Sequence, residues 1–216
     1  MTPQEIAPYI DHTLLKPFCT WEQIQKLCEE AIEYHTASVC IPSCYVARVR
    51  KEYQKNLTIC TVVGFPLGYC NTQAKLAETA QALKDGADEI DMVINVSEVK
   101  NGNIEQVRHE IKALKELTGT KILKVIVETC YLTKEEKILM CEAVTEAGAD
   151  YIKTSTGFGT AGATLKDVRL FKEHIGEQVK IKAAGGIRTK EEMEQYIKEG
   201  CSRIGSSGAA SLFLKQ

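Results

Sequence analysis

The sequence predicts an α/β fold: a (β/α)8 barrel of the TIM type, formed by a single domain over residues 1–216. Three observations predict it. Eight short apolar runs of strand character alternate with amphipathic helical patterns at an even spacing. The joints from helix to following strand repeat, as in "ALKDGADEID", "AVTEAGADYIK" and "YIKEGCSRIG". No linker or low-complexity stretch divides the chain. An open doubly wound sheet is the rival fold, but it needs a topological switch and commonly has fewer, unequal units.

The predicted strands are YIDHT (9–13), ASVCI (37–41), LTICTVV (57–63), DEIDMVI (88–94), KILKVIVE (121–128), DYIKT (150–154), VKIKAA (179–184) and SRIGS (202–206). Helical patterns fill 20–34, 44–55, 72–85, 103–117, 133–147, 164–175 and 189–199. Apolar residues recur in them at three- and four-residue steps, as at Val107, Ile111, Leu114 and Leu117. Asn71, Thr133, Thr164 and Thr189 are expected N-caps, and TKEE at 133–136 and at 189–192 fits a capping box. The glycine in each repeated joint supplies the left-handed residue that ends a helix.

Composition narrows the function. The 216 residues are 44% hydrophobic and 26% charged, enough for one sizeable core. A net charge of −2 leaves no basic excess for nucleic acid. No apolar run approaches the roughly 18–20 residues of a membrane span. Pro3, Glu5, Pro8, Asp11 and His12 interrupt the first residues, so no signal peptide is expected and a cytoplasmic location is. Nine cysteines are an odd number. Cys28, Cys40, Cys60 and Cys141 sit in apolar-periodic segments, where free cysteine behaves as a small hydrophobe. The closest pair, Cys40 and Cys44, lacks partners for a zinc site, and His12, His35, His109 and His174 are scattered; no metal and no cofactor are expected.

Barrel active sites lie at the carboxyl ends of strands, so polar residues there carry the interest. Asp91 alternates to the face opposite Ile90, towards the barrel axis. Lys124 and Glu128 fall on the fifth strand, Lys153 on the sixth and Lys182 on the seventh. A structural salt-bridge cluster is one explanation, since buried charge must be paired. The other is a nucleophilic lysine. An amine acting near pH 7 must fall by about 3 units from about 10.4, roughly 4 kcal/mol. A second ammonium about 4 Å away supplies that much at an effective dielectric near 20. Lys153 and Lys182, on neighbouring strands, can form such a pair.

"GFGTAG" (Gly157, Gly159, Gly162) matches the dinucleotide fingerprint between a strand and a helix. Its glycines begin beyond the strand rather than tight against it, and VKIKAA ends without an acid for a ribose hydroxyl, so the match is discounted. "AAGGIRT" (183–189) and "IGSSG" (204–208) follow the seventh and eighth strands, the usual phosphate-binding corner of a barrel. The residues together describe a sugar-phosphate enzyme with a Schiff-base lysine. Two alternatives stay open: a cofactor-binding barrel, and a protein that holds a sugar phosphate without turnover.

"DEIDMVIN", "KVIVET", "YIKTSTGF", "IKAAGGIRT" and "RIGSSG", in that order, with "YIDHTLLKP" and "VCIPSCYV" before them, closely resemble the deoxyribose-phosphate aldolase family from about Ile6 to Leu212. The resemblance implies a metal-independent class I aldolase that cleaves 2-deoxy-D-ribose 5-phosphate to acetaldehyde and D-glyceraldehyde 3-phosphate. By that resemblance Lys153 forms the Schiff base, Lys182 keeps its amine reactive, and Asp91 moves protons with an ordered water. Gly157, Gly185, Gly186, Gly205, Ser206 and Ser207 would hold the phosphate. A homodimer or larger homo-oligomer is implied. Phe158 departs from members with a phosphate-binding lysine there, and "SLFLKQ", ending at Gln216, lacks the tyrosine some members carry.

Overall fold

The computed structural model describes residues 1–209. Eight parallel strands close into a barrel in sequence order: β1 (Ile10–Thr13), β2 (Ser38–Ile41), β3 (Ile59–Val63), β4 (Glu89–Val93), β5 (Ile122–Ile126), β6 (Tyr151–Lys153), β7 (Lys180–Ala184) and β8 (Arg203–Ser206). Closure is made by β1 against β8, with Ile10 opposite Ile204 and Asp11 opposite Gly205. The predicted (β/α)8 barrel is therefore the observed one.

The helices are α1 (Pro3–Ile6), α2 (Trp21–Tyr34), α3 (Val46–Tyr53), α4 (Thr72–Lys84), α5 (Val96–Lys100), α6 (Ile104–Thr118), α7 (Lys134–Glu146), α8 (Leu165–His174) and α9 (Lys190–Glu199). Local chemistry starts them. Asn71 and Thr164 accept from backbone N–H groups in the first turns of α4 and α8. Thr133 with Glu136, and Thr189 with Glu192, complete reciprocal capping boxes. Gly86, Gly148 and Gly200 turn the chain into the next strand at φ of 103°, 75° and 116°. On α6, Val107, Ile111 and Leu114 are buried, but Thr118 takes the next inner place and Leu117 is exposed. Three differences from the sequence reading are local. The short helices α1 and α5 were not anticipated, and β5 stops at Ile126 because Glu128 is left-handed (φ 53°) and cannot continue the ladder.

The apolar core lies outside the barrel wall, between strands and helices. Ile41, Ile90, Met92, Val125 and Ile152 join Leu27, Ile111, Met140 and Phe171 in one continuous buried cluster. The inward positions alternate with these and mix buried charge with apolar residues such as Val93, Ile126 and Ala184. Inside the wall, Cys40, Cys60 and Val62 form a small separate apolar patch, with Leu15 and Phe65 packed against it.

Candidate active site

Inward-facing charges from six of the eight strands meet at the centre of the barrel. Asp91 on β4 is fully buried and takes three ammonium groups. Lys153 Nζ donates to its Oδ2 at 2.7 Å and Lys182 Nζ to the same oxygen at 2.6 Å, while Lys124 Nζ donates to Oδ1 at 2.9 Å. Lys182 continues to Asp11 on β1, its Nζ 2.5 Å from Oδ2 in an ion pair too bent for a hydrogen bond. Asp11 Oδ1 accepts from Arg203 on β8, and Ser38 Oγ donates to it at 2.7 Å. Arg203 forks onto Glu89, Nη1 to Oε2 at 3.0 Å and Nη2 to Oε1 at 3.1 Å. Glu89 Oε2 lies 2.5 Å from Lys124 Nζ, which returns the path to Asp91.

The path is a closed ring of alternating charge: Asp91, Lys182, Asp11, Arg203, Glu89, Lys124. Three cations balance three carboxylates. Lys153 hangs on the ring at Asp91 as a seventh group, with no second carboxylate among the described residues. The register makes this possible, since Asp91 is opposite Lys124, Lys153 opposite Lys182, and Lys182 opposite Arg203.

The field of the ring is visible in its members. Burial works to raise the Asp91 carboxyl, yet Lys124, Lys153 and Lys182 outweigh it and hold the group well below the usual carboxylate range. Burial likewise acts upward on Asp11, and Lys182, Lys124 and Arg203 overcome it. On Lys182 burial acts downward, but Asp11 and Asp91 raise it above the ordinary lysine value. Lys124 is raised in the same way, chiefly by Asp91 against its own burial. Burial pushes the Cys60 thiol well up, so it stays neutral and donates to Asp91 Oδ1 at 3.1 Å.

Above the ring, at the carboxyl ends of the strands, opens a cavity of about 340 Å³. Lys153, Gly157, Gly185, Gly186, Gly205, Ser206 and Ser207 all line it. Asp91 and Lys182 do not; they lie buried beneath Lys153. Lys153 is thus the member of the charge cluster that reaches the cavity. Gly205 is bare because a Cβ there would stand 2.9 Å from Ala184 Cβ and 3.3 Å from Lys182 Cε. The tyrosine-free tail lies outside the described residues.

Several glycines serve contacts that the sequence did not reveal. A Cβ on Gly162 would fall 2.1 Å from the carbonyl oxygen of Gly185, so this glycine lets the loops after β6 and β7 touch backbone to backbone. Ala163 N donates to that same oxygen at 3.1 Å. The helix start after β7 is already satisfied from within: Glu192 Oε2 accepts from the N–H groups of Arg188 and Thr189. The open donors on this side are instead the left-handed turn at Gly186 (φ 81°) and Ser207, whose N–H groups find no acceptor among the described residues.

Sequence reasoning missed other members of the site. Asp11 and Arg203 complete the ring, and Lys16 and Arg188 bring positive charge to the cavity wall. All four sit inside motifs already conspicuous, "YIDHTLLKP", "GGIRT" and "RIGSSG". Glu128, expected on a strand, instead clamps the loop after β6, accepting from the Thr156 hydroxyl and, at 3.3 Å, from its N–H. Phe158 packs edge-on against Phe65, ring centres 5.3 Å apart, at the rim. Cys40, Cys60 and Asp91, and Asp11, Cys60 and Glu89, each bring three possible ligand atoms within 4.8 Å. Their carboxylates already face ammonium groups, which a metal cation would have to displace.

A family model described as DeoC/LacD family aldolase matches residues 6–213. The chain belongs to this aldolase family. It is 64% identical over 212 residues to a deoxyribose-phosphate aldolase of Clostridium botulinum (strain Alaska E43 / Type E3), covering 98% of this chain and 96% of that one. Its identity to the deoxyribose-phosphate aldolase of Clostridioides difficile (strain 630) is 50% over 209 residues, covering 97% and 95%. Among solved structures, the tetrameric deoxyribose phosphate aldolase of Aeropyrum pernix superposes with a TM-score of 0.92 at 30% identity, covering 99% of this chain and 91% of that one. None of the helices among the described residues is long and apolar enough to cross a membrane.

The contact between the two loops gives a test within this aldolase. Gly162→Ala is expected to destabilise the fold by about 1–3 kcal/mol in urea unfolding, because backbone cannot yield to the added methyl. An unchanged midpoint would mean that the loops do not touch as described.

Proposed function

We propose that the protein is a class I deoxyribose-phosphate aldolase, reversibly cleaving 2-deoxy-D-ribose 5-phosphate to D-glyceraldehyde 3-phosphate and acetaldehyde through a Schiff base on Lys153. One observation carries the reading: Lys153 is the amine left over from a neutral buried ring and the one that opens to the cavity. The family and its deoxyribose-phosphate aldolase relatives support the substrate. The one-domain reading, with the whole chain as a single barrel, is supported by β1 and β8 completing the ring with Asp11 and Arg203. A homo-oligomer is proposed from the tetrameric relative.

The chemistry follows from the geometry. The neutral amine of Lys153 attacks the aldehyde carbon of the open-chain sugar, and loss of water gives the iminium. A proton leaves the C3 hydroxyl, the C2–C3 bond breaks, and its electrons flow into the iminium to form an enamine. Glyceraldehyde 3-phosphate departs. A proton returned to the enamine carbon and hydrolysis of the resulting imine release acetaldehyde and restore the amine. The iminium is the electron sink, so no step draws on a metal.

Asp91 is proposed to pass the protons through an ordered water, while Lys182, paired at the same Oδ2, helps to hold it ionised. The phosphate is proposed to lie along Gly185, Gly186, Gly205, Ser206 and Ser207 with Gly157 beside it. Lys16 and Arg188, on the same wall, would provide the charge that Phe158 does not.

Reduction by borohydride in the presence of acetaldehyde is expected to leave an irreversible ethyl group on Lys153, read by peptide mass mapping. A label on Lys182 with Lys153 untouched would reverse the assignment.

Asp91→Asn keeps shape but removes the charge that holds three ammonium groups together. It is expected to fold and lose at least about a hundredfold in turnover. Near-normal turnover with a sharply lowered melting temperature would leave Asp91 as a counter-ion only.

A further inference from the structure

We infer that the charge of the whole ring, rather than the neighbouring Lys182 alone, decides when Lys153 gives up its proton, so that Glu89 and Arg203 are positioning residues that set the pH range in which the amine attacks. This rests on the Schiff-base role of Lys153 proposed above. Neither residue lines the cavity, and neither touches Lys153 among the described residues.

The ring sits in a closed, dry space. Asp11, Asp91, Lys124 and Lys182 are fully buried, Glu89 is 3% exposed and Arg203 9%. Water cannot screen them, so a unit of charge gained or lost anywhere in the ring is felt across it. Lys182 cannot act as a lone repelling neighbour, because the Asp91 oxygen it shares with Lys153 stands between the two ammonium groups. What remains is the sum. With the six ring members charged the ring is neutral, and a protonated Lys153 makes the cluster one positive charge too many. Lys153 has one carboxylate within ion-pair reach, where Lys182 has two and Lys124 has three.

The groups facing the ring from every strand fit this count. β1 contributes Asp11, β4 Glu89 and Asp91, β5 Lys124, β6 Lys153, β7 Lys182 and β8 Arg203. β2 and β3 add the thiols Cys40 and Cys60 and the Ser38 hydroxyl, of which Cys60 is held neutral by burial. On β6 the Tyr151 ring lies 5.7 Å beneath the Arg203 guanidinium, and Lys180 on β7 stands 5.9 Å from the same ring at the exposed end of its strand. Arg203 itself, raised by Asp11 and Glu89 against its burial, stays charged at any working pH.

Opposite substitutions should then act in opposite directions. Glu89→Gln removes a negative charge and is expected to move the rising limb of Lys153 trapping to lower pH by about one unit. Arg203→Met removes a positive charge and should move it up by about one unit. The double variant is neutral again and should return the limb close to that of the wild type, and Arg203→Lys should not move it. The measurement is the rate at which acetaldehyde and cyanoborohydride label Lys153 as a function of pH, by peptide mass mapping. If Arg203→Met does not fold, Glu89→Gln against the double variant still gives the direction. Slower labelling with an unmoved limb, or both limbs moving the same way, would overturn the inference while leaving Lys153 as the nucleophile. No labelling of wild-type Lys153 at any pH would instead remove the aldolase reading, and the inference with it.

Discussion

The structure depends on a buried ring of six alternating charges that closes through Asp91. Each ion moved out of water costs several kcal/mol, and only well-directed partners offset that cost. Asp91 alone meets three ammonium groups, so the neighbouring carboxylates Asp11 and Glu89 are needed to complete the alternation. They come from β1 and β4, and their cationic partners from β5, β7 and β8. An open sheet would leave the two ends of this path apart. Closure of the barrel and assembly of the ring are one event, and loss of a single member strands its partners as unpaired buried charge.

The ring also divides labour between wall and interior. Hydrophobic stabilisation is gathered outside the strands, where Ile90, Met92 and Val125 meet the helices, and this frees the interior for chemistry. Gly205 and Ala184, small residues at the cavity floor, leave room for Lys182. Gly162 and Gly185 bring two loops into backbone contact. Buried charge below and open N–H groups above give the cavity two different ends, the Lys153 amine at the floor and a rim that carries Lys16 and Arg188.

Much of this was legible in the sequence where the cause is local. Strand periodicity, the caps at Asn71, Thr133, Thr164 and Thr189 and the glycine exits depend on residues within a turn of one another. The five-residue α5 was not, because it is too short to show a period. The inward placement of Asp91, Lys153 and Lys182 followed from alternation along single strands. Their joint engagement did not, because it is fixed by register between strands: Asp11 and Arg203 stand 192 residues apart in the chain and meet only when the barrel closes. The glycines of "GFGTAG" are similar in kind. Their spacing suggests a ligand, whereas Gly162 answers to a carbonyl in another loop.

Lys153 alone of the buried cluster opens to the cavity, while the ring beneath it stays paired. A crystal structure of the protein after reduction with borohydride in the presence of acetaldehyde tests this most directly. An ethyl group is expected on Lys153 Nζ, with Lys124 and Lys182 unmodified and still paired with Asp91. An ethyl group on Lys182, with Lys153 unmodified, would contradict it.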